Sequence, residues 1–109
     1  MGRPNLRLRE EIRGLFENGR IYRGRWLHVR AVRSGSGRII FSVRRRFGGA
    51  VARNRARRRL RAICRELIPG GRPGWLVLVS LGDHAGKAAY QELWNDLASA
   101  FATLSLIET

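Results

Sequence analysis

The sequence predicts an α+β fold, a two-layer sandwich in which helices cover one small mixed sheet. Three observations predict it: segments with apolar residues at helical spacing, short segments with alternating or continuous apolar residues, and the interleaving of the two along the chain. The predicted order is α-β-β-α-β-α, with room for an extra short strand. A chain of 109 residues with 44% hydrophobic residues suits one compact domain over residues 1–109 with a modest core.

Leu8, Ile12, Leu15 and Phe16 fall on one face of a helix over residues 8–18, and Asn18-Gly19 gives a stop. Residues 20–25 read as a basic loop. Residues 26–33 then alternate, with Leu27, Val29 and Ala31 on an apolar face and Trp26, His28 and Arg30 on the other. Ser34-Gly35-Ser36-Gly37 reads as a hairpin tip, and residues 38–43 as a second strand. In that strand Ile39-Ile40-Phe41 is apolar on both faces, as in a central strand.

After a basic, glycine-containing loop, residues 50–67 are helical again. Ala52, Ala56, Leu60, Ile63 and Leu67 form the predicted core stripe, and Arg53, Arg57, Arg61 and Arg65 form a neighbouring stripe, widened by Arg55, Arg58 and Arg59. The Pro69–Gly74 segment ends this helix. Trp75-Leu76-Val77-Leu78-Val79-Ser80-Leu81 has the composition of an inner strand, parallel to the second strand through the arginine helix. Asp83 is placed as the cap of a last helix with stripe Tyr90, Leu93, Trp94, Leu97, Phe101 and Leu104.

Charge is the most informative property. Lys and Arg total 22 against 8 acids, a net charge of +14. Self-repulsion of that size is relieved by a polyanion, and nucleic acid fits best. No long apolar run suits a membrane. Lys87 is the single lysine; GC-rich coding would explain arginine over lysine, but not the net charge. Residues 44–65 hold ten arginines and no acid. A solvated helix face ordinarily mixes signs at i,i+4, whereas like charges at that spacing destabilise an isolated helix by a few tenths of a kcal/mol per pair. Phosphate binding accounts for such a pattern. The outward face with Trp26, His28 and Arg30, together with Phe16, offers a second surface for stacking bases; Phe16 and Trp26 fit an ordinary core as well.

Catalytic readings find little support. His28 and His84 have no zinc-ligand spacing, and the acids form no two-metal cluster. Ser34, Ser36, Ser42, Ser80, Ser99 and Ser105 sit in no nucleophile elbow, and Phe47-Gly48-Gly49-Ala50 lacks the P-loop Lys-Ser/Thr. Cys64 is alone, so an intrachain disulfide is excluded, and a small buried side chain in a reducing compartment is expected. The segment Met1–Asn5 leads into charged sequence, which points to the cytoplasm.

The stretch Phe41-Ser42-Val43-Arg44-Arg45-Arg46-Phe47-Gly48-Gly49-Ala50-Val51-Ala52-Arg53-Asn54-Arg55-Ala56-Arg57-Arg58-Arg59-Leu60-Arg61 resembles the signature of the bacterial ribonuclease P protein component. The remaining predicted elements fall where that family has them, so the resemblance covers nearly the whole chain. It implies a left-handed strand–helix–strand crossover, against the usual rule. It also implies that Arg53, Asn54, Arg55, Arg57, Arg58 and Arg61 contact a catalytic RNA, with Arg44, Arg45, Arg46 and Arg65 extending the RNA-binding surface. A cleft with Ile12, Phe16, Arg30 and Ser42 would take the 5′ leader of precursor tRNA. Ile12 stands where the family often has an aromatic, Arg30 where Tyr occurs, and Gly49 where Asn is common. The resemblance further implies no catalytic residue in the protein, Mg²⁺ held mainly by the RNA, and a monomeric protein in a one-to-one ribonucleoprotein. A ribosomal RNA-binding protein is the alternative that shares size and charge; a self-sufficient nuclease would need residues the sequence does not offer.

Overall fold

The computed structural model describes residues 6–35 and 37–107, with side chains from Arg9 onward. The N-terminal segment 1–5, the Leu8 side chain and Ser36 of the predicted turn lie outside the described residues. The elements are α1 (Leu6–Asn18), β1 (Arg20–Arg23), β2 (Leu27–Arg33), β3 (Ile39–Val43), α2 (Ala50–Leu67), β4 (Trp75–Leu81) and α3 (Tyr90–Thr103), with short 3₁₀ turns at Arg45–Phe47 and Ala85–Lys87.

The four strands lie in the order β1-β2-β4-β3. β2 is antiparallel to β1 and β4, and β3 is parallel to β4. The most apolar strand, β4, is therefore inner, as its composition predicts. The register sorts the side chains into two sets. Leu27, Val29 and Ala31 align with Leu81, Val79 and Val77, which align with Val43, Phe41 and Ile39. This face is sealed by α2 and α3 through Leu60, Ile63, Leu93, Leu97 and Phe101. The opposite face carries Leu76 and Leu78, packed beneath Leu15 of α1 with Val32 and Ile40 at the margin. Most of the buried core residues lie on the α2/α3 side of the sheet, and with them most of the hydrophobic stabilisation.

Several sequence-based expectations are corrected. Residues 20–25 are not all loop: Arg20–Arg23 pair with β2, and Ile21 and Tyr22 are half-buried. The Ser34–Gly37 connection is no hairpin tip, because β4 inserts between β2 and β3. β3 is accordingly an edge strand; it is apolar on both faces because α2 covers one and the α1 cluster borders the other. Ala52 is exposed, since the first turn of α2 projects past the sheet, and Cys64 takes a core place instead. Tyr90 is exposed at the start of α3. Asp83 caps nothing: a 3₁₀ turn intervenes, and the Ala89 N–H at the start of α3 donates to Glu92 Oε1 at 2.9 Å.

Side-chain hydrogen bonds fix the helices to the sheet. Asp96 of α3 accepts from the backbone N–H groups of Trp26 at 2.7 Å and Leu27 at 3.3 Å, holding the β1–β2 turn. Gly24 has no room for a Cβ, which would overlap the Asp96 carboxylate. Glu66, the one acid of α2, accepts from Trp94 Nε1 at 2.7 Å and from the Tyr90 hydroxyl at 3.4 Å, closing the α2–α3 seam. Desolvation first, and then the Glu66 carboxylate, push the Tyr90 phenol above its ordinary range.

Candidate RNA interface

With 3.6 residues per turn, the core residues Ala56, Leu60, Ile63 and Cys64 occupy one side of α2. Arg57, Arg61 and Arg65 follow one another along the flank beside β3, and Arg58 and Asn54 lie next to them on the outer surface. A depression on this flank is lined by Asn54, Arg57, Arg58 and Arg61. Asn54 Oδ1 accepts from the Arg57 guanidinium at 3.1 Å and so fixes the fork within the depression. The Arg61 guanidinium stands 5.8 Å from the centroid of the Phe41 ring. Arg53 is half-buried at the start of the helix, and its Nε is sealed from solvent without an acceptor among the described residues. Helical geometry turns Arg55 away from this flank, onto the solvent face toward α3. Arg59, predicted to widen the positive surface, instead donates to the Ala88 carbonyl at 3.1 Å and ties α2 to the approach to α3.

Arg45 and Arg46 are exposed on the 3₁₀ turn before α2. Arg44 pairs with Asp83 at 3.2 Å, with side-chain exposures of 67% and 21%. The high exposure of the arginine keeps this ion pair weak.

The second surface lies on the sheet face that α1 leaves partly open. A cleft of about 340 Å³ is lined by His28, Ser42, Arg44 and Ser80, with Trp26 and Gly82 at its end. The register makes a row Ser42–Ser80–His28 across three strands, and Arg23 pairs with His28 at the end of the row. One pleat along, Arg30 stacks its guanidinium over Phe16 at 4.2 Å. Phe16 is 53% exposed, which settles its place outside the core; Trp26 is half-buried and serves both core and cleft. Ile12 is half-buried one helical turn before Phe16. Phe16 and Arg30 are thus in contact and Ser42 lines the adjoining cleft. Sequence reasoning missed Arg23 and Ser80, because strand register has no signal in periodicity alone.

No three His, Cys, Asp or Glu among the described residues stand together in a way that would hold a metal ion. Cys64 is buried, and burial pushes its thiol up to about 12, so it is a neutral, unreactive wall. Among the described residues no helix is long and apolar enough to cross a membrane.

The fold and its two surfaces define a class: a small basic α+β protein built to hold a polyanion, with its arginines on a rigid helix beside an open sheet face. The family described as Ribonuclease P matches residues 2–105. Among curated relatives, the ribonuclease P protein component of Pseudanabaena sp. is 33% identical over 94% of this chain and 91% of its own length. That of Thermus scotoductus is 39% identical over 85% of this chain, which spans only 56% of the Thermus protein. Among solved structures, the RNase P protein from Thermotoga maritima superposes with a TM-score of 0.73 at 25% identity, covering 98% of this chain and all (100%) of that one. The Staphylococcus aureus RNase P protein gives 0.78 at 17% identity over 91% and 93% of the two chains, a likeness of fold. The chain belongs to the ribonuclease P protein component family, the protein part of a tRNA-processing endoribonuclease. The ribosomal alternative is left without support.

Proposed function

We propose that this single RNA-binding domain joins the ribonuclease P RNA in a one-to-one ribonucleoprotein in the cytoplasm and assists removal of the 5′ leader from precursor tRNA. The observation that carries this reading is the acid-free arginine flank of α2 beside the cleft between α1 and the sheet. Arg53, Arg57, Arg58, Arg61 and Arg65 neutralise phosphates of the catalytic RNA, and Asn54 holds the Arg57 fork in place. Arg44, Arg45, Arg46 and Arg55 extend that surface around the start of the helix.

The leader lies in the cleft. Phe16 and Arg30 present a stacked aromatic–guanidinium pair to a base, Ser42 supplies a hydroxyl, and Ile12 gives apolar contact. Mg²⁺, bound mainly by the RNA in this reading, would supply Lewis-acid chemistry at the scissile phosphate. The protein's part is to position the substrate and reduce phosphate repulsion, which lowers the Mg²⁺ concentration the ribozyme needs.

The test is cleavage of precursor tRNA by the cognate RNA at low Mg²⁺, with and without the protein. Stimulation by the protein, and no cleavage by the protein alone, is the expected result. Absence of stimulation, or hydrolysis without RNA, sinks the reading.

A further inference from the structure

We propose that the apolar groove between the β3 edge and α2 receives one unpaired nucleobase of the bound RNA. The inference rests on the RNA-binding reading above and adds a base-binding site to a surface otherwise described by the phosphates it neutralises. β3 is an edge strand, and its core-facing side chains Ile39 and Phe41 are only half-buried. The result is a groove of about 380 Å³, walled by Ile39, Phe41, Cys64 and Ile68 and rimmed by Arg61 and Arg65. That volume lies in the range of small-ligand clefts, about 300–1,000 Å³. The groove's end is bordered by Gly70 and Gly71, where an added Cβ would meet nothing within 4 Å, so the entrance is open.

The occupant is indicated by what surrounds the groove. None of its lining residues is acidic, and its rim is cationic. Arg61 borders both the groove and the depression formed with Asn54, Arg57 and Arg58, so one continuous surface joins an apolar slot to the phosphate-binding flank. Along that flank Arg57, Arg61 and Arg65 recur every four residues, about 6 Å along the helix axis, a step on the scale of successive phosphates in a single strand. Within the groove, the Arg61 guanidinium sits 5.8 Å from the Phe41 ring centroid, well beyond direct stacking contact at about 3.5–4.0 Å. Arg61 is exposed. A displacement of about an ångström would admit a planar base between ring and guanidinium, the two surfaces on which single-stranded bases stack. The neutral Cys64 thiol presents no charge to oppose entry. A peptide carboxylate would satisfy the rim but would leave these two facing planes unused.

Isotope-labelled protein titrated with AMP and, separately, with ribose 5-phosphate separates base from phosphate. AMP should shift the backbone amides of 39–43 and 61–71 and bind at least about fivefold more tightly than the sugar phosphate, the lower end of stacking on an aromatic side chain. Phe41→Leu keeps an apolar wall and should reduce the two affinities to the same value while leaving the response to phosphate intact. If that variant does not fold, Arg61→Gln, on the exposed rim, should narrow the AMP preference in the same direction. Equal affinities in the unaltered protein, with shifts confined to the arginine flank, would overturn the base site and leave the RNA-binding reading standing. Failure of the whole cognate RNA to bind in a salt-dependent way would sink both. A groove that takes a Phe–Glu peptide in preference to AMP also overturns the proposal.

Discussion

The two faces of the sheet have been put to different uses. One is closed by α2 and α3 over a continuous apolar core; the other has only α1, resting on Leu76 and Leu78, and leaves a cleft beside it. The closed face holds the molecule together, and its outer helix can then tolerate a run of like charges that would weaken a free helix. The open face keeps polar and aromatic groups accessible at little cost, because the strands beneath are anchored from the other side. On the proposed reading, stability and recognition rest on different residues of this molecule.

That separation can be tested by substitution, beginning with the closed face. Phe101 is fully buried among the α3 core residues. Phe101→Ala should lower unfolding free energy by about 3–5 kcal/mol in denaturant titration; a loss below about 1 kcal/mol would mean the core is not where the structure puts it. On the arginine flank the reverse is expected. Arg53→Ala combined with Arg57→Ala should weaken binding of the cognate RNA by about 2–4 kcal/mol at low salt and flatten the salt slope by about one unit for each phosphate no longer neutralised. Its unfolding midpoint should stay nearly unchanged, and a large fall would show that the flank serves the fold.

Alkaline titration sharpens the comparison from the core side. The Cys64 thiol is raised from 9.0 to about 12 by burial, so the unfolded chain releases this proton first. Stability from this source is complete below pH 9 and declines as pH rises toward 12, by about 1.4 kcal/mol per unit within that window. Cys64→Ala should remove that component of the pH dependence, as followed by thermal unfolding at pH 8 and pH 10. The smallest effect belongs to the open face. Phe16→Ala should cost about 1 kcal/mol in affinity for a single-stranded leader, measured against leaderless tRNA, and less than about 0.5 kcal/mol in stability.

How much of this was legible in the sequence follows from the kind of signal each element carries. α2 and β4 were readable because the stripe Ala56-Leu60-Ile63 and the run Leu76–Val79 are long enough for periodicity and hydrophobicity to agree. β1 was not, since a four-residue strand with arginine at both ends has no apolar period of its own and exists through pairing with β2. The position of β4 between β2 and β3 was equally hidden: Ser34–Gly37 carries strong turn chemistry, but turn chemistry does not say which strand comes next to which. The arginine flank was visible as charge at helical spacing, whereas the diversion of Arg59 to a carbonyl and of Arg44 to Asp83 depends on partners distant in sequence. Phe16 and Arg30 could be named from the outward face and the resemblance, but their stacking required the placement of α1 over the sheet.

The seam at Glu66 has one more effect. The helix whose guanidiniums are proposed to meet RNA carries a carboxylate of its own, and any carboxylate placed among them would be an intramolecular decoy for the nucleic-acid backbone. Held by Trp94 and Tyr90 on the opposite flank, it is kept from that role. The two α3 aromatics hold that carboxylate on the α3 side of the helix, away from the proposed binding flank.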